Sequence, residues 1–155
     1  WHTTALMLDL TEDPLVWQEL PAPPFQRRAL AVEAFDGKLY VIGGMQEQGG
    51  PTNAVQIFDP QSQTWTAAPA LQGAPDEGFG AAACSAGGSL YVSTVQRNLQ
   101  RLDKGAEAWV IEGQLPSARF FHQMLPVGDD QLLLVGGANM ETGRFRELDV
   151  VQIAK

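Results

Sequence analysis

The stretch Leu39-Tyr40-Val41-Ile42-Gly43-Gly44 recurs as Leu132-Leu133-Leu134-Val135-Gly136-Gly137, and in a weaker form as Leu90-Tyr91-Val92-Ser93-Thr94. A fixed period decides a fold before local propensity does. Each copy is a short apolar or β-branched run, which reads as a strand. A second mark follows each time. Phe58-Asp59-Pro60 is followed by Trp65 six residues after the Asp, and Leu102-Asp103-Lys104 by Trp109 at the same distance. Leu8-Asp9 with Trp17 is an earlier copy whose turn is two residues longer.

Working outward from the best copy, residues 29–34 form an apolar, small-residue strand, Asp36-Gly37 is a hairpin turn and 38–42 is a second strand ending at the glycine pair. A longer connection over 45–52 leads to a third strand at 54–58. An Asp-Pro turn at 59–63 then leads to a fourth strand at 64–67, ended by Pro69. One period is therefore one four-stranded antiparallel sheet.

The diglycine after an apolar strand, the aromatic before Asp-Pro and the Trp six residues later resemble the kelch repeat, whose units are blades of β-propellers. The resemblance covers essentially the whole chain and is complete at Gly43, Gly44, Phe58 and Trp65. The next unit departs from it, with Ser93 and Thr94 in the diglycine place and Leu102 for the aromatic. The structural marks are Gly43, Gly44, Gly136 and Gly137, where the backbone takes positive φ or is closely approached, and Trp17, Trp65 and Trp109, which pack between sheets.

The expected organisation is a single kelch propeller segment over 1–155. Residues 1–20 supply the third and fourth strands of an incomplete blade, at 3–10 and 16–20. A complete blade spans 25–69 and a complete divergent one 79–115. Residues 119–155 form a blade lacking its last strand, with strands at 121–127, 131–135 and 148–153. Thirteen strands make about three blades, whereas closed propellers need roughly 4 to 8. The expected fold class is all-β: four-stranded kelch-type blades forming about half a ring, closed only by a second copy or a missing half. The chain opens at Trp1 rather than Met, which leaves processing or excision from something longer open. A homodimer would form if the Trp17 strand of one copy completed the C-terminal blade of the other, leaving one strand surplus.

Eighteen acidic residues against ten Lys and Arg give a net charge of -8, which repels phosphate backbones and anionic membranes. No apolar run has membrane-spanning length, so a soluble chain is expected, with its compartment unassigned. One cysteine, Cys84, excludes an intrachain disulfide, and two histidines, His2 and His122, leave little for a metal cage or a Ser-His-Asp triad. No catalytic residue, metal or cofactor is assigned.

In an up-down meander the longer connections share one face, where Arg27, Arg28, Arg119 and Arg144 gather with Glu77, Phe79 and His122. Guanidinium forks suit a carboxylate, a sugar acid or an acidic peptide. Arg119 and His122 also match positions where kelch blades anchor their own loops. Phe79, Phe120, Met45 and Met140 are apolar recognition contacts or covers for blade junctions. The expected function is a non-catalytic module that recognises a protein or a small acidic ligand through this face. One alternative is a mutarotase-like enzyme acting on sugar acids, which the family resemblance makes available. The other is a propeller fragment with no activity of its own.

Overall fold

Turn residues set the strand lengths. Asp36 and Gly37 take left-handed backbone (φ 49° and 73°), as do Gly87 and Gly88 (φ 55° and 84°). This is the two-residue reversal whose twist suits antiparallel partners. The computed structural model describes residues 1–153. Its first strands are β1 (Ala5–Leu8), β2 (Trp17–Leu20), β3 (Arg27–Arg28), β4 (Ala31–Phe35), β5 (Lys38–Ile42) and β6 (Met45–Gln46). Then come β7 (Gly50–Pro51), β8 (Val55–Asp59), β9 (Thr64–Ala68), β10 (Ala82–Ala86), β11 (Ser89–Ser93) and β12 (Asn98–Asp103). The last are β13 (Val110–Gln114), β14 (Gln123–Val127), β15 (Gln131–Val135), β16 (Ala138–Asn139), β17 (Gly143–Arg144) and β18 (Leu148–Gln152). Among the described residues the single helical element is a 3-10 turn, Pro75–Gly78, and no helix is long and apolar enough to cross a membrane.

Strands β4-β5-β8-β9 form one four-stranded antiparallel sheet and β10-β11-β12-β13 a second; β14-β15-β18 makes a three-stranded third and β1-β2 a ribbon. Strands β4, β10 and β14 lie side by side as the innermost of their sheets. Ser85 ties the first two together, its amide donating to Glu33 Oε1 (2.9 Å) and its hydroxyl to the Ala34 carbonyl (2.8 Å). No ring of sheets closes among the described residues, as a partial propeller requires.

Alternation within strands sends apolar side chains to both faces of the second sheet. One cluster, including Ile42, Val55, Leu71, Leu90, Val92 and Trp109, fills the space between sheets one and two. Another, including Cys84, Tyr91, Leu99, Met124, Leu132 and Leu134, fills that between sheets two and three. Burial pushes the Cys84 thiol up to about 12, with the Glu33 charge adding to it, so at neutral pH it packs as a small apolar group.

The glycine pairs mark close approaches. A Cβ at Gly43 would lie 2.4 Å from the Gly78 carbonyl oxygen, and one at Gly78 would lie 2.0 Å from that of Thr52. Gly44 and Gly137 lie against the chain entering their own sheet, 2.7 Å from the Arg28 oxygen and 2.9 Å from the Phe120 oxygen on the same measure.

Three details differ from expectation. The connection at 45–52 and the segment after Gly137 are themselves β-structured, as the small sheet β3-β6-β7 and the hairpin β16-β17. Gly49 and Gly50 (φ 103° and 77°) and Gly143 (φ 74°) allow those reversals. The last strand stops at Gln152; Ile153 is buried instead, its amide donating to the Asp130 carbonyl at 2.9 Å. Residues 154 and 155, the end of the expected last unit, lie outside the described residues.

The repeat tryptophans also divide. Trp109 is buried and its Nε1 donates to the Pro69 carbonyl at 2.8 Å. Trp65 lies against Phe25 and Phe58, with centroids 5.5 and 4.9 Å away, and donates to the Pro21 carbonyl at 2.8 Å. Trp17 does not pack between sheets and is 64% exposed, because no sheet precedes the β1-β2 ribbon among the described residues.

Candidate functional site

The long-loop face gathers the ends of all three sheets. Met45 begins β6 directly after Gly44, and Val95 follows Thr94 at the same repeat position. Phe79 leaves the 3-10 turn, which also carries Asp76. Phe120 is held by paired backbone hydrogen bonds with Ala138 (2.9 and 3.0 Å), next to the hairpin whose turn carries Met140. These residues, with Pro51 and Gln96, line one pocket of about 470 Å³.

Its walls are mainly apolar. Phe79, Phe120 and Phe121 form a three-ring cluster with centroids 5.1 to 5.8 Å apart, two of the pairs edge-on. Met140 stands 91% exposed at the rim, an unbranched thioether able to adjust to what it covers. The polar element is Asp76, whose Oδ2 accepts from Gln96 Nε2 at 2.6 Å.

Two of the four arginines expected to bind ligand, Arg27 and Arg119, are engaged with the protein itself. Arg27 Nη1 donates to the carbonyls of Gly43 (2.9 Å) and Ala54 (2.8 Å), and its guanidinium lies over the Phe25 ring. Arg119 is buried, donates to the Gly136 carbonyl (3.3 Å), pairs with Asp149 and lies over Phe145. The two are repeat equivalents, each clamping the carbonyl of the first glycine of its pair. Arg28 is exposed beside Met45 Sδ (3.7 Å) and the Trp1 ring, and Arg144 is exposed on β17. Glu77 is buried, its Oε1 accepting from Asn98 Nδ2 at 2.7 Å.

His122 is buried with Nε2 2.5 Å from Ser93 Oγ, joining sheets two and three. Burial, with the Arg119 charge second, pulls its imidazole down to about 4. A serine and histidine in contact could suggest an activated nucleophile. Here Ser93 has no accessible surface, His122 Nδ1 has no hydrogen-bond partner among the described residues, and Asp149 is spent on Arg119. Among the described residues no group of three His, Cys, Asp or Glu side chains is arranged to hold a metal ion.

Of the residues picked out in the sequence, the structure unites Phe79, Phe120, Met45 and Met140, and buries Arg119, Glu77 and His122 away from them. It adds Pro51, Asp76, Val95 and Gln96. The signal that could have found Val95 was its repeat equivalence with Met45.

Comparison with known proteins now bears on this geometry. A family model described as the Kelch motif matches residues 26–72. The chain carries a kelch motif and is similar to kelch-repeat proteins. It is 37% identical to human Kelch-like protein 33 over 59% of its own length and 17% of that protein's. It is 25% identical to human Kelch domain-containing protein 1 over 84% of this chain and 41% of the relative. The solved structure of YjhT superposes with a TM-score of 0.82 at 19% identity, covering 97% of this chain and 57% of that one, a likeness of fold. The chain spans less than half the length of these two curated relatives.

Proposed function

We propose that this chain is a non-catalytic protein-interaction module whose long-loop face takes an apolar side chain of a partner protein into the Met45–Phe79–Phe120–Met140 pocket. The observation that carries this is the pocket itself: half-buried Met45, Phe79 and Phe120 and exposed Met140, from loops at the ends of the sheets, converge there. Partly exposed clusters of that kind mark recognition sites. An acidic ligand is less well served, since Arg27 and Arg119 are occupied and the pocket's charged group is Asp76. The same occupation removes Arg27 and Arg119 from a sugar-acid mutarotase site. Selection from a displayed random-peptide library tests the reading. Peptides sharing a large apolar anchor should be enriched, and Met140→Lys should weaken them at least ten-fold. No enrichment, or indifference to Met140→Lys, refutes it.

A second observation favours pairing of two copies into a ring of about six blades. The third sheet has three strands, with β18 at its edge, and Leu148 and Val150 on that strand are 62% and 58% exposed. Uncovered apolar edges invite strand addition. Light scattering at micromolar concentration should give twice the 16.8 kDa chain mass, and a monomer refutes it.

A further inference from the structure

The indole-to-proline contacts described above are a repeating joint. In each, the tryptophan sits on or directly before the outermost strand of a sheet, and the accepting carbonyl is on the first proline after the outermost strand of the unit before it: Trp65 on β9 with Pro21 after β2, and Trp109 directly before β13 with Pro69 after β9. The next proline of that series is Pro116, after β13. Among the described residues the sheet it leads into has β18 as its last strand and carries no tryptophan. Trp17, on β2, is an outermost-strand tryptophan that projects into solvent.

Two further features belong to the same side of the third sheet. Register places Leu125, Leu133 and Val150 in one row across β14, β15 and β18, facing away from the buried Met124, Leu132 and Leu134. Gly136 has the positive φ of Gly43, but a Cβ there meets nothing within 4 Å, whereas Gly43 lies against Gly78 of the chain entering the next sheet. This side is built as Gly43's side is, with nothing laid on it among the described residues.

We propose that β2 of a second copy exchanges its pairing with β1 for antiparallel pairing to the edge of β18, leaving β1 as the surplus strand, with the partner subunit's Trp17 donating its indole N–H to the Pro116 carbonyl. This rests on the pairing of copies proposed above and names its joint. The chain's own β2 is not the donor strand. The Trp65 bond to Pro21 pins its end beside sheet one, and sheet two stands between sheet one and sheet three. Antiparallel addition matches β8-β9 and β12-β13. Because the arrangement is reciprocal, two such joints form about a twofold axis and the assembly closes.

Sedimentation velocity on the 155-residue chain, over a concentration series, tests this with two variants checked by circular dichroism. Wild type should sediment as a dimer. Trp17→Ala, at an exposed position, should keep its fold and raise the dimer dissociation constant at least 100-fold; Trp17→Phe, which keeps a ring and loses the donor, should raise it about ten-fold. In the dimer the Trp17 indole proton should exchange more slowly than in the diluted monomer. A wild-type monomer overturns the pairing of copies and the joint with it. A dimer indifferent to Trp17→Ala, or one with a freely exchanging Trp17 indole, overturns the joint alone and leaves pairing to another surface.

Discussion

Acidification tests the buried contact between sheets two and three. His122 is 3% exposed, and burial holds its imidazole near 4 instead of its ordinary 6.5. For a base lowered in the folded state, the unfolded chain takes up the proton first. The stabilisation is complete above about pH 6.5, declines as pH falls toward 4, and is gone below that. At 1.36 kcal/mol per pKa unit, the displacement from 6.5 to about 4 corresponds to about 3 kcal/mol, a large part of an ordinary domain's stability. Hydrogen bonds hold the carboxylates of Asp9, Asp59 and Glu147 below their usual range, so they contribute above their unfolded values and weaken only as pH falls through the carboxylate region. The interval from pH 6.5 to about 4.5 therefore belongs to His122. Urea unfolding across it should show the midpoint falling by about 1 to 2 M, taking a slope of 1–3 kcal/mol per molar. His122→Gln should flatten that dependence. A flat wild-type profile, a slope that survives His122→Gln, or a His122 imidazole signal titrating near 6.5 would refute the reasoning.

The equivalent glycines should differ sharply on substitution. In the dilute monomer Gly43→Ala meets the Gly78 backbone and should cost more than about 3 kcal/mol, whereas Gly136→Ala, with open space, should cost only the roughly 1–2 kcal/mol of left-handed strain; equal losses in denaturant titrations of the monomer would contradict the close approach. Trp109→Phe leaves the Pro69 carbonyl without its donor and should destabilise by about 1–3 kcal/mol, read from the shift in thermal midpoint. Cys84, with its thiol pushed up to about 12, should resist a chromogenic thiol reagent at pH 8 until the protein unfolds. Rapid labelling of the native protein would show that sheets two and three are not packed as described.

The strands were legible because their signals are local. Asp36-Gly37 and the two glycine pairs fix where the chain turns, and alternation between those points leaves little freedom. The hairpin β16-β17 and the small sheet β3-β6-β7 were not legible, since two-residue ladders carry no period. The pocket was half legible: Phe79, Phe120, Met45 and Met140 stood out by residue type, while Val95 and Pro51 are ordinary residues whose place depends on the stacking of sheets. Arg119 shows the limit. Nothing local distinguishes an arginine aimed at solvent from one turned inward, and the Asp149 that pairs with it lies 30 residues downstream, brought near by strand pairing.

The two apolar clusters share no residue, and sheet two supplies a face to each. Its second strand, β11, is buried along all five residues from Ser89 to Ser93. Sheets one and three can each detach by exposing a single layer, whereas releasing sheet two means opening both. Such an array melts inward from its ends, as a row of nearest-neighbour units does. In the monomer, diluted below the dimer's dissociation constant, amide protons should therefore exchange in a gradient, fastest in the β1-β2 ribbon and on β18, and slowest on β11, whose opening approaches the free energy of unfolding the whole chain.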